Sequence, residues 1–277
     1  MAALTSREPP ASIGGTIRWA LTDGVTVVHR HLLRLRRSPG ELAGELIFPA
    51  ALVLLFGYVM GSAITVPGGD YLTFLMPGLF TMMTVTSVAA TSVAVAGDMA
   101  RGVTDRFRSM PMARLAVPFG QTGADILIGA LAISIMIVCG LALGWRPQQG
   151  PLQTLAAFAL LILLRYTLSW CGVLVGQLVK EQTADKLTPL VFPVTMISNA
   201  FVPTEHMVPW LRTIADWNPV SAAVTAARSL LGDPDTKVPA DAAWPLTHPI
   251  AATLLSSAVI LAVFVPLSVR RFRTADR

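Results

Sequence analysis

The stretch FGQTGADILIGALAISIMIVCGLALG, residues 119–144, decides the fold class: it runs 26 residues with a single charged side chain, Asp125. As a helix it is about 39 Å long at 1.5 Å per residue, more than the ~30 Å of a bilayer's hydrocarbon core. Five further apolar blocks surround it, at residues 46–66, 71–97, 155–179, 187–202 and 246–269. The fifth in chain order, 187–202, is only 16 residues and carries Pro189 and Pro193, so it predicts a short, kinked crossing completed by the residues after Val202. The chain as a whole agrees: of 277 residues, 53% are hydrophobic and 13% charged, where soluble domains carry about 25% charged residues. This composition excludes disorder, and two cysteines exclude a disulfide scaffold. Cys139 and Cys171 both sit within apolar blocks and read as packing residues. The expectation is an all-α polytopic membrane protein with six transmembrane helices.

Charge distribution sets the orientation. Net charge is +5, and the 21 basic residues include only three lysines. Sixteen of the 21 fall before the first block, between the second and third, between the fourth and fifth, or after the sixth. The opposite side holds four: Arg146, Arg212, Arg228 and Lys237. By the positive-inside rule both termini are cytoplasmic. Because the cations border apolar blocks, the basic balance points to membrane lipids and not to nucleic acid. The first 15 residues lack an apolar core, so no cleavable signal peptide is expected.

Before the first block, Ile17, Leu21, Val25, Val28, Leu32 and Leu35 recur on one helical face, with Arg30, Arg34 and Arg37 on another and Trp19 near the start. This pattern predicts, over residues 16–40 and behind a flexible N-terminus at 1–15, an amphipathic helix on the inner leaflet with its arginines toward anionic headgroups. The alternative is an ordinary cytoplasmic helix packed on protein. Residues 203–245 form the largest external piece, with Pro209-Trp210, Trp217-Asn218-Pro219 and a short apolar helix from 220 to 231, too short to span. The tail, 270–277, is cytoplasmic.

Two places carry candidate function. The cytoplasmic segment 98–114 is short and densely charged, with Phe107, Met110 and Met112 as apolar contacts. It is suited to docking in a cleft of a soluble partner, or else is a connector that obeys the charge rule. Within the membrane, Arg165 is the one basic residue inside an apolar block. Intramembrane charge is costly and points to a substrate route or dimer interface. If the helix begins near Leu160, however, Arg165 can snorkel to the outer headgroups, or it can form a structural pair. Asp125, near the inner end of its block, reads as a cap or as the partner of an inner arginine. Asn199 either lines a polar cavity or satisfies backbone freed by Pro193 and Pro203. Met82 and Phe201 are packing residues or line an apolar route. The histidines are scattered, and no metal site is expected; nor does any Ser/His/Asp set or carboxylate pair argue for catalysis. There is no G-x-x-x-x-G-K-[ST], so the chain is not expected to bind or hydrolyse ATP itself.

Five stretches in register resemble the permease subunits of ABC type-2 exporters, most closely the daunorubicin/doxorubicin-resistance branch of actinobacteria. They are Leu54-Leu55-Phe56-Gly57-Tyr58-Val59-Met60-Gly61; Tyr71-Leu72-x-Phe74-Leu75-x-Pro77-Gly78; Asp98-x-x-x-Gly102-Val103-Thr104-Asp105-Arg106-Phe107-Arg108-Ser109-Met110-Pro111-Met112-x-Arg114; Ser198-Asn199-Ala200-Phe201-Val202-Pro203; and Asn218-Pro219-Val220. The resemblance implies six helices with cytoplasmic termini, an elbow helix at 16–40, and short external helices returning toward the membrane. It also implies a coupling helix at 98–114, where Asp98, Arg101, Gly102, Asp105, Arg106, Phe107, Arg108 and Pro111 meet an ATPase. Asp98 and Gly102-Val103 stand where many relatives carry Glu and Gly-Thr, a departure that the daunorubicin-type branch shares. Two permease chains, a homodimer or sister permeases, would pair with two ATPase chains that bind ATP and Mg. The implied function is export of an amphipathic drug, antibiotic or lipid across the plasma membrane. The alternative is an ATP-independent secondary transporter or lipid-handling protein.

Overall fold

A computed structural model describes residues 39–60, 71–103, 116–202, 207–232 and 242–274, together with Leu33 and Thr204. The expected elbow helix, with Trp19, Arg30, Arg34 and Arg37, lies outside the described residues, Leu33 apart. So does most of the coupling segment, from Thr104 through Arg114.

All regular structure among the described residues is helical. The helices are α1 (Pro39–Leu54, continued by a π-helix Leu55–Met60), α2 (Tyr71–Val85), α3 (Ser87–Ala100), α4 (Ala116–Ala142), α5 (Pro151–Leu178), α6 (Glu181–Asp185), α7 (Val191–Met196), α8 (Pro209–Asp216), α9 (Pro219–Leu231), α10 (Trp244–Thr247) and α11 (Pro249–Thr274). Hydrogen bonds from the amides of Thr86 to Met82 O and of Ala90 to Thr86 O carry α2 into α3 without a gap. Four helices are long and apolar enough to cross a membrane: Tyr71–Ala100, Val117–Ala142, Pro151–Leu178 and Pro249–Phe272.

Two of the expected blocks are not among those four. The first forms α1, whose apolar part is described over Ala43–Val59, while residues 61–66 of the block lie outside the described residues. The fifth is no continuous helix: it comprises a 3-10 turn at Thr188–Leu190, the six-residue α7, and a departure from helical geometry at Ile197 (φ −82°, ψ 53°). Pro189 and Pro193 each remove a backbone donor, which leaves no run long enough to propagate.

Helix ends follow local rules. Pro151 occupies the first position of α5 after Gly150, where its missing N–H costs nothing. At the end of α4, Gly144 (φ 101°) takes the left-handed conformation that a side chain disfavours. Its amide bonds Leu141 O at 3.2 Å, and that of Trp145 bonds Gly140 O at 2.9 Å, closing a Schellman turn. The turn sends Trp145 inward. Its indole meets Phe80 edge-on at 5.6 Å, and Phe80 meets Phe158 at 5.3 Å. Around these rings Leu75, Met76, Leu79, Met136, Leu161 and Leu231 form the main core.

Helix α5 is the axis of the bundle, packed against α2, α3, α4, α9 and α11. Its tightest contact, with α3, was not read from the sequence. A Cβ on Gly172 would lie 2.7 Å from Val88 O, and one on Gly176 would lie 2.6 Å from Ser92 O. The Ser92 hydroxyl sits between Val88 O at 2.6 Å and Gly172 O at 3.1 Å. Two glycines four apart on one face let the backbones touch, the way helices associate where lipid removes the hydrophobic drive.

Because the atoms met there are backbone, Gly172→Leu is expected to force the helices apart at about 1–3 kcal/mol or more. Gly44→Ala, with nothing within 4 Å of its added carbon, serves as the neutral control. Melting temperatures of the two purified variants in one detergent test this: a clear drop for the first only is the expected result.

Candidate functional site

Arg165 lies midway along the 28-residue α5, about 21 Å from either end at 1.5 Å per residue. Snorkelling is thereby ruled out: α5 begins at Pro151, not near Leu160, and the side chain is 4% exposed. It turns instead into the bundle and forms a pair. Nη2 donates to Asp125 Oδ1 at 2.7 Å, Nε to Asp125 O at 3.0 Å, and Nη1 to Met83 O at 2.8 Å. The partner is thus an intramembrane aspartate on α4 rather than a cap or the mate of an inner arginine. Gly129 makes the geometry possible, since a Cβ there would lie 2.0 Å from Arg165 Nε. Asp125 and Gly129 are four apart, hence on one helix face: one presents the carboxylate and the next turn opens the slot for the guanidinium. Removing two charges from water is costly, and the pair persists because charge-assisted bonds and backbone carbonyls satisfy the arginine. The other carboxylate oxygen, Asp125 Oδ2, has no hydrogen-bond partner among the described residues.

The pair forms part of the wall of a cavity of about 610 Å³ between α1, α2–α3, α4 and the broken fifth block. Glu45, Asp125, Arg165 and Asp185 are its charged lining; Phe48, Met83, Ile128 and Val191 supply apolar surface. The cavity touches Met83, not Met82, which is buried at 5% exposure.

At the end of α3 a second polar cluster forms. Asp98 is 4% exposed. Its Oδ2 accepts from Gln121 Nε2 of α4 at 3.3 Å, and its Oδ1 pairs with Arg101 at 3.4 Å. Arg101 also reaches Glu181 Oε1, at the start of α6, at 3.5 Å. The last two contacts are long and half exposed, so each contributes little to stability; their geometric effect is to join α3, α4 and α6. Gly102 follows at φ 65°, a left-handed residue that ends the helix. Asp105, Arg106, Phe107, Arg108 and Pro111 lie outside the described residues.

A third cluster holds the broken end of the fifth block against α9. Asn199 Nδ2 donates to Thr225 Oγ1 at 2.7 Å, and its amide donates to Ser221 Oγ at 3.2 Å. Asn218 caps α9 through the Val220 amide at 2.9 Å, while its Nδ2 donates to Ile197 O at 2.7 Å. Arg228, counted from sequence among the external cations, is buried. It donates to Asn199 O at 2.9 Å and Ala200 O at 3.0 Å, and its guanidinium lies 3.9 Å from the Phe74 ring centre. The Asn199 side chain thus joins the broken end of the fifth block to the Thr225 hydroxyl of α9 and is not among the residues that line the cavity, while Asn218 and Arg228 take up the freed carbonyls. Phe201 packs on Phe56 at 5.5 Å. Neither Arg228 as a staple nor Gly129 as the arginine's slot was read from the sequence; the Asp125-x-x-x-Gly129 spacing is the signal that would have found the latter.

The family described as ABC-2 type transporter matches residues 23–231. A daunorubicin resistance ABC transporter permease protein of Streptomyces coeruleorubidus, DrrB1, is 29% identical over 283 residues, covering 97% of this chain and 96% of that protein. The doxorubicin resistance ABC transporter permease protein DrrB of Mycobacterium tuberculosis is 29% identical over 252 residues, 84% of this chain and 85% of its own. A probable multidrug ABC transporter permease of Escherichia coli, YbhR, is 25% identical over 192 residues, which are 68% of this chain but 51% of that protein.

Deleting one member of a buried ion pair leaves the other charge stranded, at a cost of about 3–5 kcal/mol. Arg165→Gln is therefore expected to lower the melting temperature strongly. Asp125→Asn introduced on top of it is expected to recover much of the loss. Full additivity of the two losses in a double-mutant cycle would refute the pairing as an energetic unit.

Proposed function

The chain belongs to the ABC-2 type transporter family, and we propose that it is the permease subunit of an ATP-driven exporter that moves an amphipathic drug, antibiotic or lipid out of the cell. The family match, over three quarters of the chain, carries this reading. Energy comes from a separate ATPase subunit, in two copies with their ATP and Mg, seated beneath two permease chains. Both termini face the cytoplasm. Residues 46–66 and 187–202 complete six crossings in the assembled transporter, with the broken fifth block joined to α9 as one unit that dips back from the outside.

The polar cluster at the end of α3 supports a route for the mechanical step. Closure of the ATPase dimer presses on the coupling segment 98–114. Its first turn is fixed to α4 through Asp98 and Gln121, and to α6 through Arg101 and Glu181. Displacement of Arg101 pulls on α6, which leads directly into the broken fifth block. That block forms one wall of the cavity, so the same displacement reshapes the cavity. A proline-broken wall held by a few polar bonds shifts more readily than a continuous helix packed along its length.

Co-purification of the tagged chain with its cognate ATPase tests this reading. Wild type is expected to retain the ATPase, and the Arg106→Glu/Arg108→Glu double variant to lose it. Equal retention by both would place the contact elsewhere, and no retention by wild type would overturn the exporter assignment.

A further inference from the structure

We propose that the cavity between α1, α3, α4 and the broken fifth block is a water-filled vestibule that opens on the cytoplasmic side and ends at the Asp125–Arg165 pair. The pair is then the boundary between a wet inner half and a dry outer half of the bundle. Which side is cytoplasmic rests on the orientation proposed above; the vestibule itself is argued from the cavity and its surroundings.

The lining comes from one half of the bundle. Helix α1 contributes its first turns, from Gly40 to Pro49, and the fifth block contributes Thr188 and Val191 at its beginning, next to Asp185 of α6. From α4 the lining runs from Gln121 through Asp125 and Ile128 to Ala132, one helical face at intervals of three and four. There it stops. Ile133 and Met136, which follow on α4, belong to the main core with Leu79, Phe80 and Leu161. The continuous helix α2–α3 changes in the same way: Thr86 and Ala90 line the cavity, Met83 closes its end, and Phe80 and Leu79 are core. Arg165 is the one residue of α5 in the lining among the described residues. The change from cavity to close packing thus falls at one level, that of the network joining Met83, Asp125 and Arg165.

Three features favour water over lipid as the filling. Thr86, Thr91, Gln121 and Asp125 set polar side chains along the wall, with Glu45 and Asp185 beside the chain segments that enter from the cytoplasm. Such groups are costly against hydrocarbon and face water or protein. Thr91 Oγ1 and Asp125 Oδ2 are buried without a hydrogen-bond partner among the described residues, and an adjacent water is the ordinary way to satisfy such atoms. The space is also ample: about 610 Å³ holds roughly 20 waters at about 30 Å³ each. At the start of α1 nothing lies within 4 Å of a Cβ added to Gly40 or Gly44, so the cavity is unobstructed there. Water at this boundary has a mechanical consequence. Parting an ion pair in dry protein strands two charges, whereas at a wet boundary water takes them up. The dry half is therefore most easily opened at Arg165, from the inside.

The test places single cysteines in the full chain, in a Cys139→Ala/Cys171→Ala background and in membrane vesicles of known sidedness. Their reaction with a charged, membrane-impermeant methanethiosulfonate is timed. Ala90→Cys and Ile128→Cys lie in the lining; Leu127→Cys, next to Ile128, is exposed but not part of it. The two lining thiols are expected to react about ten-fold or more faster than the third, from the cytoplasmic side only, because hydrocarbon excludes a charged reagent. Equal rates at positions 127 and 128 overturn the proposal, as does faster reaction from the outside. Wild type supplies a measurement free of substitutions. Under hydroxyl-radical footprinting, Met83 at the deep end is expected to oxidise several-fold more than Met76 and Met136, which are fully buried in the core. Equal protection of all three overturns the proposal as well. The exporter reading fails separately. A chain whose lining reacts from the cytoplasm but which recruits no ATPase keeps the vestibule, and one that recruits ATPase but shields both lining thiols loses it.

Discussion

The arrangement depends on the burial of one guanidinium. Arg165 sits halfway along the central helix of an apolar bundle, where an unpaired charge is not tolerated. Its solution draws on two neighbouring helices at once: the carboxylate and carbonyl of Asp125 and the slot above Gly129 from α4, and the carbonyl of Met83 from α2. These groups fix the rotation and the height of α2, α4 and α5 relative to one another. Apolar packing alone does this poorly in a bilayer, because a leucine gains as much from lipid tails as from a neighbouring helix. The ion pair is therefore weak evidence for high stability and better understood as a device that sets register.

The same constraint explains where small residues fall. Gly172 and Gly176 bring α5 onto the backbone of α3, and Gly78 lets α2 approach Ala200, where a Cβ would lie 2.2 Å from the carbonyl oxygen. That carbonyl is among those freed by the broken fifth block, and Arg228 takes it up together with Asn199 O. Arg165 and Arg228 thus perform related tasks in different parts of the bundle: each brings several donors to main-chain oxygens in a region with little water. Both are arginine, not lysine, because the planar fork serves two or more carbonyls at fixed angles.

Much of the architecture was legible in the sequence. The apolar blocks marked the long helices, because in a membrane the length of an apolar run is itself the structural signal. Pro189 and Pro193 marked the fifth block as irregular, and Asn218-Pro219 marked the start of α9. What sequence left open was pairing across helices. Arg165 was visible as an anomaly, but its depth depended on where α5 begins, and a start at Pro151 moved it from a snorkelling position to the centre. Asp125 was discounted for a related reason, since a charge near the end of a block resembles a cap. Arg228 was counted only as a cation of the outer side because a helix of 13 residues rich in alanine carries little periodicity, and charge alone does not reveal which side of such a helix is buried. The family was readable from short motifs whose structural reasons appear only in three dimensions: Asn218 takes up the carbonyl of Ile197, and Asn199 ties the broken block to Thr225 of α9.

The positions of these groups along α4 draw the pieces together. Gln121, Asp125 and Gly129 recur at intervals of four and form one inclined row on the helix surface. Gln121 holds Asp98 at the end of α3; Asp125 and Gly129 hold Arg165 on α5. A single face of α4 thus links the polar cluster at the end of α3 to the pair that walls the cavity, and two of its three residues line that cavity. Such a row has a mechanical consequence. A helix transmits axial displacement with little loss, whereas its side-chain contacts switch between discrete arrangements. A shift of α3 relative to α4 must either carry Gln121 with Asp98 or break their bond. In the second case α4 moves against α3 and against α5, which packs on α3 through Gly172 and Gly176, so Asp125 moves against Arg165. The Asp98–Gln121 bond and the Asp125–Arg165 pair are therefore not independent: one face of α4 carries a partner of each.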